Sequence, residues 1–176
     1  VNIVEMKPTD IQMEELGGGY LIEIDSYAWS ETSYFVSKRG VPVTIKSPDE
    51  DEIVAVQTRY ITDYFNELEA AVFAENYADE EKGYRRYLDL DSFLKYFMLE
   101  ELCGNPDMFW SVYMTKNRYS NKFVVGPVWD FDIAFDNEKR AYPTDRFNDF
   151  LYTTSVNLAS ETVRDMANVI VKKDVT

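Results

Sequence analysis

The sequence predicts an α+β fold, and three features carry the prediction. Short runs of β-branched and aromatic residues are bounded by glycine, two long stretches place apolar residues at helical spacing, and a late pair of strand-like runs flanks a turn. Gly17, Gly18 and Gly19 turn the chain into Tyr20-Leu21-Ile22-Glu23-Ile24, a short strand that ends at Asp25. Tyr34-Phe35-Val36 and Val41-Pro42-Val43-Thr44-Ile45 read as strands across the turn Ser37–Gly40. Pro48 and the acidic run Asp49-Glu50-Asp51-Glu52 are expected to open a helix, because negative charge suits the N-terminal end of a helix dipole. Its apolar face runs through Ile53, Val56, Tyr60, Tyr64, Leu68 and Val72. Gly83 lies in the polar break that follows. A second helix starts at Asp89, an N-cap, and carries Phe93, Tyr96, Phe97, Leu99, Leu102 and Cys103 until Gly104, Asn105 and Pro106 stop it. Strands are expected at about 110–117 and 122–128, across a turn at Tyr119-Ser120-Asn121, with a final helix at about 158–172. Residues 1–48 thus form a strand-rich segment, and residues 49–176 a helical segment with a hairpin.

At 176 residues the chain fits one domain, and its apolar (45%) and aromatic (15%) content is that of a globular protein. No stretch approaches the 18 or so unbroken apolar residues of a membrane span. Val1 is followed by no charged and apolar export signal, and an opening without Met reads as a piece of a longer protein. The balance of 32 acidic to 18 basic residues gives a net charge of −14, which disfavours nucleic acid as a partner. A nucleotide remains compatible, since a bound divalent cation inverts the local field. There is no His, which removes Ser-His-Asp and Cys-His catalysis and His-ligated zinc or haem within this chain. Cys103 stands alone in an apolar helical run, where a buried, inert thiol is expected. Chemistry here falls to carboxylates, hydroxyls, Lys or Arg, with a hard metal ion.

Two glycine- and acid-rich stretches have structural readings. A phosphate loop sets its glycines between a strand and a helix, whereas a strand follows Gly17–Gly19, so a tight turn is expected. The run Asp49–Glu52 lacks the alternating ligands and central Gly of a calcium loop. The informative residues are Asn105-Pro106-Asp107 and Trp129-Asp130-Phe131-Asp132-Ile133-Ala134-Phe135. If the second segment is extended, its apolar residues enter a core and both carboxylates project from the other face. Neighbouring carboxylates raise each other's pKa unless a cation joins them, and magnesium takes such oxygen ligands while leaving room for phosphate. With the turn near residue 120, antiparallel pairing puts Asp107 level with 132–133, so Asp107, Asp130 and Asp132 should converge at the open end of the hairpin. On spacing alone, the alternative is a turn-closing Asp107 with two edge charges.

Glu101-Leu102-Cys103-Gly104-Asn105-Pro106-Asp107, followed by Trp129-Asp130-Phe131-Asp132, resembles the signature of the CotH (spore-coat protein H-like) kinase family. Leu88–Phe97 matches its helix entry, and Gly18–Asp25 and Gly40–Pro48 are similar to segments common in bacterial members. The resemblance covers most of residues 15–155. It implies a distorted, atypical protein-kinase-like fold that transfers phosphate from ATP, with Mg2+ or Mn2+, to protein Ser/Thr, in a bacterial parent that is exported, cell-surface or spore-associated. By that resemblance Asp107 corresponds to the catalytic-loop Asp, Asp130 to the metal-binding Asp, and Asp132 to a second metal contact. Phosphoryl transfer needs positioning, a metal and a carboxylate, and no His. Glu101 and Asn105, one helical turn apart, are candidates to brace the loop.

Two departures from the ordinary kinase pattern stand out. The position five residues after the catalytic Asp, where kinases carry a magnesium-binding Asn, is Val112, preceded by Ser111. No anchoring Lys with a Glu partner is evident, and Lys38, Arg39 and Lys46 read as surface charges. The chain is therefore expected to be a partial domain lacking most of the N-terminal lobe, inactive alone and prone to associate with copies of itself through exposed apolar surfaces. Two other readings stay open: a degenerate kinase serving as a surface or coat interaction module, and a carboxylate-pair glycosidase, suggested by the acidic residues and the 13 Tyr, 11 Phe and 3 Trp.

Overall fold

The computed structural model describes residues 3–135, 137, 150–153 and 161–174. Five strands form one antiparallel sheet: β1 Tyr20–Ile24, β2 Tyr34–Val36, β3 Pro42–Ser47, β4 Val112–Lys116 and β5 Phe123–Val125, in the spatial order β2-β3-β1-β4-β5. β1 pairs with both β3 and β4, so the strand-rich opening and the later hairpin share one sheet. Met114 lies opposite Val125 and Lys116 opposite Phe123, within one residue of the pairing expected for a turn near 120. Both hairpin strands are shorter than predicted. Ser111 (φ 54°) and Gly126 (φ 115°) leave the extended region and end the ladder at its open end.

Alternation sorts the sheet into two faces. Tyr20, Ile22, Ile24, Val43, Ile45, Val112, Met114, Phe123 and Val125 face the core. Glu23, with its register partners Thr44 and Tyr113, faces the other way. The helices are α1 Met13–Leu16, α2 Ala55–Val72, α3 Leu90–Cys103 and α4 Glu161–Asp174. The core closes over the inner face with Ile61, Phe65, Leu68 and Val72 of α2, Tyr96 of α3, and Met166 and Ile170 of α4. A smaller cluster of Phe97, Met108, Phe109, Leu151, Ala167 and Val171 sits beside it. That cluster clamps the residues immediately after Asp107.

Several expected boundaries shift. Asp49–Glu52 form a turn, and α2 begins only at Ala55 with Val54 as its N-cap. The buried stripe of α2 is accordingly Gln57, Ile61, Phe65, Leu68 and Val72, while Val56 is exposed and Tyr60 and Tyr64 are only partly buried. Stacked rings explain why the tyrosines look like core in the sequence: Tyr20, Tyr60 and Tyr64 form a ladder along the helix flank. α3 starts as expected, with Asp89 Oδ1 accepting from Ser92 N at 2.8 Å, and stops where left-handed Gly104 (φ 61°) donates back to Glu100 and Glu101. α4 runs over Glu161–Asp174, and residues 158–160 of the expected helix lie outside the described residues. Cys103 is half-buried on the last turn of α3.

The glycine triplet is a close-approach turn, as expected. A Cβ on Gly18 would collide with the backbone of Asn117 and Arg118, and Gly19 (φ 108°) has a conformation that L side chains rarely adopt. The buried Lys116 ammonium fastens this contact by donating to the carbonyls of Gly17 and Ser120, 4.7 Å from the Tyr64 ring. Gly18→Ala is therefore expected to lower stability by ~3 kcal/mol, because backbone rather than a flexible side chain must move. Urea unfolding with an unchanged midpoint would refute this.

Candidate active site

The open end of the β4–β5 hairpin gathers carboxylates from three parts of the chain. Asp107 follows the α3 stop, and its N–H donates to Asn105 Oδ1 (3.2 Å) while its carbonyl accepts from Trp110 N (2.9 Å). Its carboxyl is pushed up to about 6, first by burial, then by the charges of Asp130 and Asp132 and more weakly of Asp25. A hydrogen bond from Ser111 opposes the shift. Asp130 is raised as well, by local desolvation and by a hydrogen bond and repulsion from Asp132. The three predicted aspartates therefore act on one another.

The route by which they meet differs from the sequence expectation. Residues 129–135 are an irregular loop and turn, not an extended strand: Asp130 is left-handed (φ 59°), Trp129 and Phe135 are exposed, and only Ala134 is fully buried. Other residues pin the loop. Trp129 Nε1 donates to Ser111 O (2.8 Å), the Trp129 ring meets Tyr113 edge-on at 5.2 Å, and Phe135 N donates to Cys103 O (2.8 Å). Asp and Asn tolerate the left-handed region better than most residues, which lets Asp130 turn back toward Asp107. Ser111 is a serine in the same region directly beside it, a place where strain accompanies function.

Of the two residues expected to brace this loop, Asn105 bonds to Asp107, whereas Glu101 bonds elsewhere. Glu101 accepts from Leu151 N (2.9 Å) and Tyr152 N (2.8 Å), capping a short helical turn at Leu151–Thr153. The partner of Asn105 is Glu100, whose Oε2 accepts from Asn105 Nδ2 at 2.8 Å. Glu100 is 1% exposed, and burial pushes its carboxyl up to about 7. A signal was available, because Glu100 continues the stripe of Phe93, Tyr96 and Phe97 at helical spacing.

A second polar group lies on the outer face of the sheet. Lys46 Nζ is 3.2 Å from Glu23 and 3.3 Å from Glu31, so it is an ion-paired residue rather than a free surface charge. Desolvation works against the Lys46 ammonium, but bonds and charges from Glu23 and Glu31 outweigh it and raise its pKa. For Glu23, burial outweighs the same bond and the carboxyl is raised too; the desolvated Glu23 is the member held at a cost. Tyr113 hydrogen-bonds Glu23, and Asp25 acts on both Glu23 and Asp107. Asp25 is itself fixed by Tyr27 N (2.7 Å) and Thr44 Oγ1 (3.3 Å). Sequence reasoning missed Asp25, Lys46 and Ser111, whose contacts include residues distant in the chain, such as Thr44, Glu23 and Trp129. Arg39, also expected as a surface charge, covers the Phe73 ring at 4.1 Å.

The donor set suits a hard cation: mutually repelling carboxylates, two of them exposed, beside a hydroxyl. Among the described residues, no three Asp, Glu or Cys side chains form a complete metal cage. Asp107, Asp130 and Asp132 therefore do not form a three-carboxylate metal site by themselves.

Comparison with known protein families matches "CotH kinase protein" over residues 7–165. No curated protein and no solved structure matches the chain. Among the described residues, no helix is long and apolar enough to cross a membrane. The matched stretch takes in the sheet, α1 to α3 and every aspartate of the cluster, and on it the chain belongs to the CotH kinase family.

Proposed function

We propose that this chain carries the phosphoryl-transfer site of an ATP- and Mg2+- or Mn2+-dependent atypical protein kinase that acts on Ser/Thr. The observation that supports it is Asp107, a half-buried carboxyl held at about 6 by burial and by Asp130 and Asp132. Asp130 and Asp132 would hold the metal, which when bound would supply charge neutralisation for the phosphate. With those two charges neutralised, Asp107 is an ionised acceptor that orients the incoming hydroxyl and takes its proton. Ser111, beside Asp107, favours its ionised form. Trp129 and Tyr113 wall the same end of the sheet. Lys46, held by Glu23, supplies the cation that draws nucleotide phosphates along the outer face toward Asp25 and the cluster.

The test is an assay of the full-length protein for phosphate transfer from labelled ATP to Ser/Thr, with a thermal-shift titration of ATP and metal. Absence of transfer with a preserved ATP-plus-metal shift would favour a degenerate, nucleotide-binding interaction module. Val112 at the place of the usual second metal ligand is the observation on that side. A glycosidase is the weaker reading, because Asp130 and Asp132 act directly on each other, an arrangement that suits a shared cation better than two carboxyls set apart across a sugar. Lys46→Met is expected to raise the KM for ATP about tenfold or more, while leaving metal binding at the aspartates intact. An unchanged KM would return Lys46 to a purely structural ion pair.

A further inference from the structure

The last turn of α3 holds a carboxyl that packing does not call for. Glu100 is 1% exposed, and an apolar side chain of its size would suit the packing of α3 better. Its side chain meets Asn105, itself 3% exposed. The Asn105 amide is fully engaged. Nδ2 donates to Glu100 Oε2 (2.8 Å) and reaches the Asp130 carbonyl (3.5 Å), while Oδ1 accepts from Asp107 N (3.2 Å). Below the loop, Asn105 N donates to Glu100 O (3.1 Å), and Met108 O accepts from Tyr96 Oη (3.0 Å). One amide thus touches the backbone of both loops that carry the aspartates.

We propose that Glu100 is a positioning residue for phosphoryl transfer: by locking the Asn105 amide, it fixes the Asp107 and Asp130 loops relative to each other. The role rests on the kinase reading above. An amide left to rotate can present its oxygen or its nitrogen to either loop. With Glu100 as acceptor, Nδ2 must face α3 and Asp130, and Oδ1 must face Asp107 N. Orientation within a fraction of an ångström dominates catalysis by groups of this kind, so a loosened amide lowers turnover more than ATP affinity.

The test uses the full-length protein and four variants. Glu100→Leu keeps the volume and removes the acceptor; kcat is expected to fall about 30-fold, with the KM for ATP within about threefold. Glu100→Gln, whose Oε1 still accepts from Asn105, is expected to restore most of that loss. Asn105→Ala is expected to match Glu100→Leu, and the double variant to lose little more than either single one. Amide hydrogen exchange supplies a readout independent of turnover: the amides of 105, 107 and 108 are expected to exchange about tenfold faster in Glu100→Leu, with 93–97 unchanged. If Glu100→Leu does not fold, Asn105→Ala removes the same link from the loop side and carries the comparison. A folded Glu100→Leu with wild-type kcat, or losses that multiply in the double variant, overturns the proposal. If the wild type transfers no phosphate, the kinase reading fails on its own, and unchanged exchange at 105, 107 and 108 would then overturn the clamp.

Discussion

Asp107→Asn is expected to move activity and stability in opposite directions. The substitution keeps the shape and removes the group proposed to orient and deprotonate the acceptor hydroxyl. kcat should therefore fall by about 10²–10⁴, or ~3–5 kcal/mol of barrier, with ATP binding retained. Stability should rise. In the metal-free protein the Asp107 carboxyl takes up its proton near pH 6, against 3.8 for an ordinary aspartate. Between those values the folded state binds more protons than the unfolded state, so raising the pH through that window destabilises the fold. The deficit is complete above pH 6 and absent below pH 4, and it amounts to about 1–3 kcal/mol for this half-buried group. Urea denaturation without metal should show Asp107→Asn to be the more stable protein at pH 7.5 and equal to wild type near pH 3.5. A variant that is both active and no more stable would make Asp107 a turn-forming residue.

Asp130→Asn is expected to have the larger effect on metal. Its position in the left-handed region suits Asn as well as Asp, so the loop keeps its path. The substitution also relieves the repulsion from Asp132 that helps raise the Asp130 carboxyl. Removing one of the two proposed carboxylate ligands should weaken Mg2+ or Mn2+ about 100-fold, since such sites depend on few protein oxygens. Calorimetric titration of the folded variant reads this directly. Undiminished affinity would move the metal away from Asp130.

The convergence of these aspartates was legible, but the means was not. Hairpin pairing placed Asp107 level with Asp132, and the observed register agrees to within one residue. The alternation of 129–135 suggested a strand, yet the loop is shaped by Trp129 on Ser111 and Phe135 on Cys103, contacts that span many residues. Period-2 patterning records which residues are apolar; it does not record what the backbone finds to bond with.

The sequence by itself determined β1 to β3, the Asp89 cap and Gly104 stop of α3, the tight turn at Gly17–Gly19 and the candidate aspartates. Each of these depends on neighbours within a few residues, through side-chain alternation, capping or left-handed backbone. Only the tertiary structure decided that Glu100 rather than Glu101 holds Asn105, that Lys46 pairs with Glu23, and that Asp25 acts on Asp107. Those pairings join residues on different elements or opposite faces of one helix turn. Their strength comes from desolvation, and burial is a property of the packed chain that no local stretch of sequence contains.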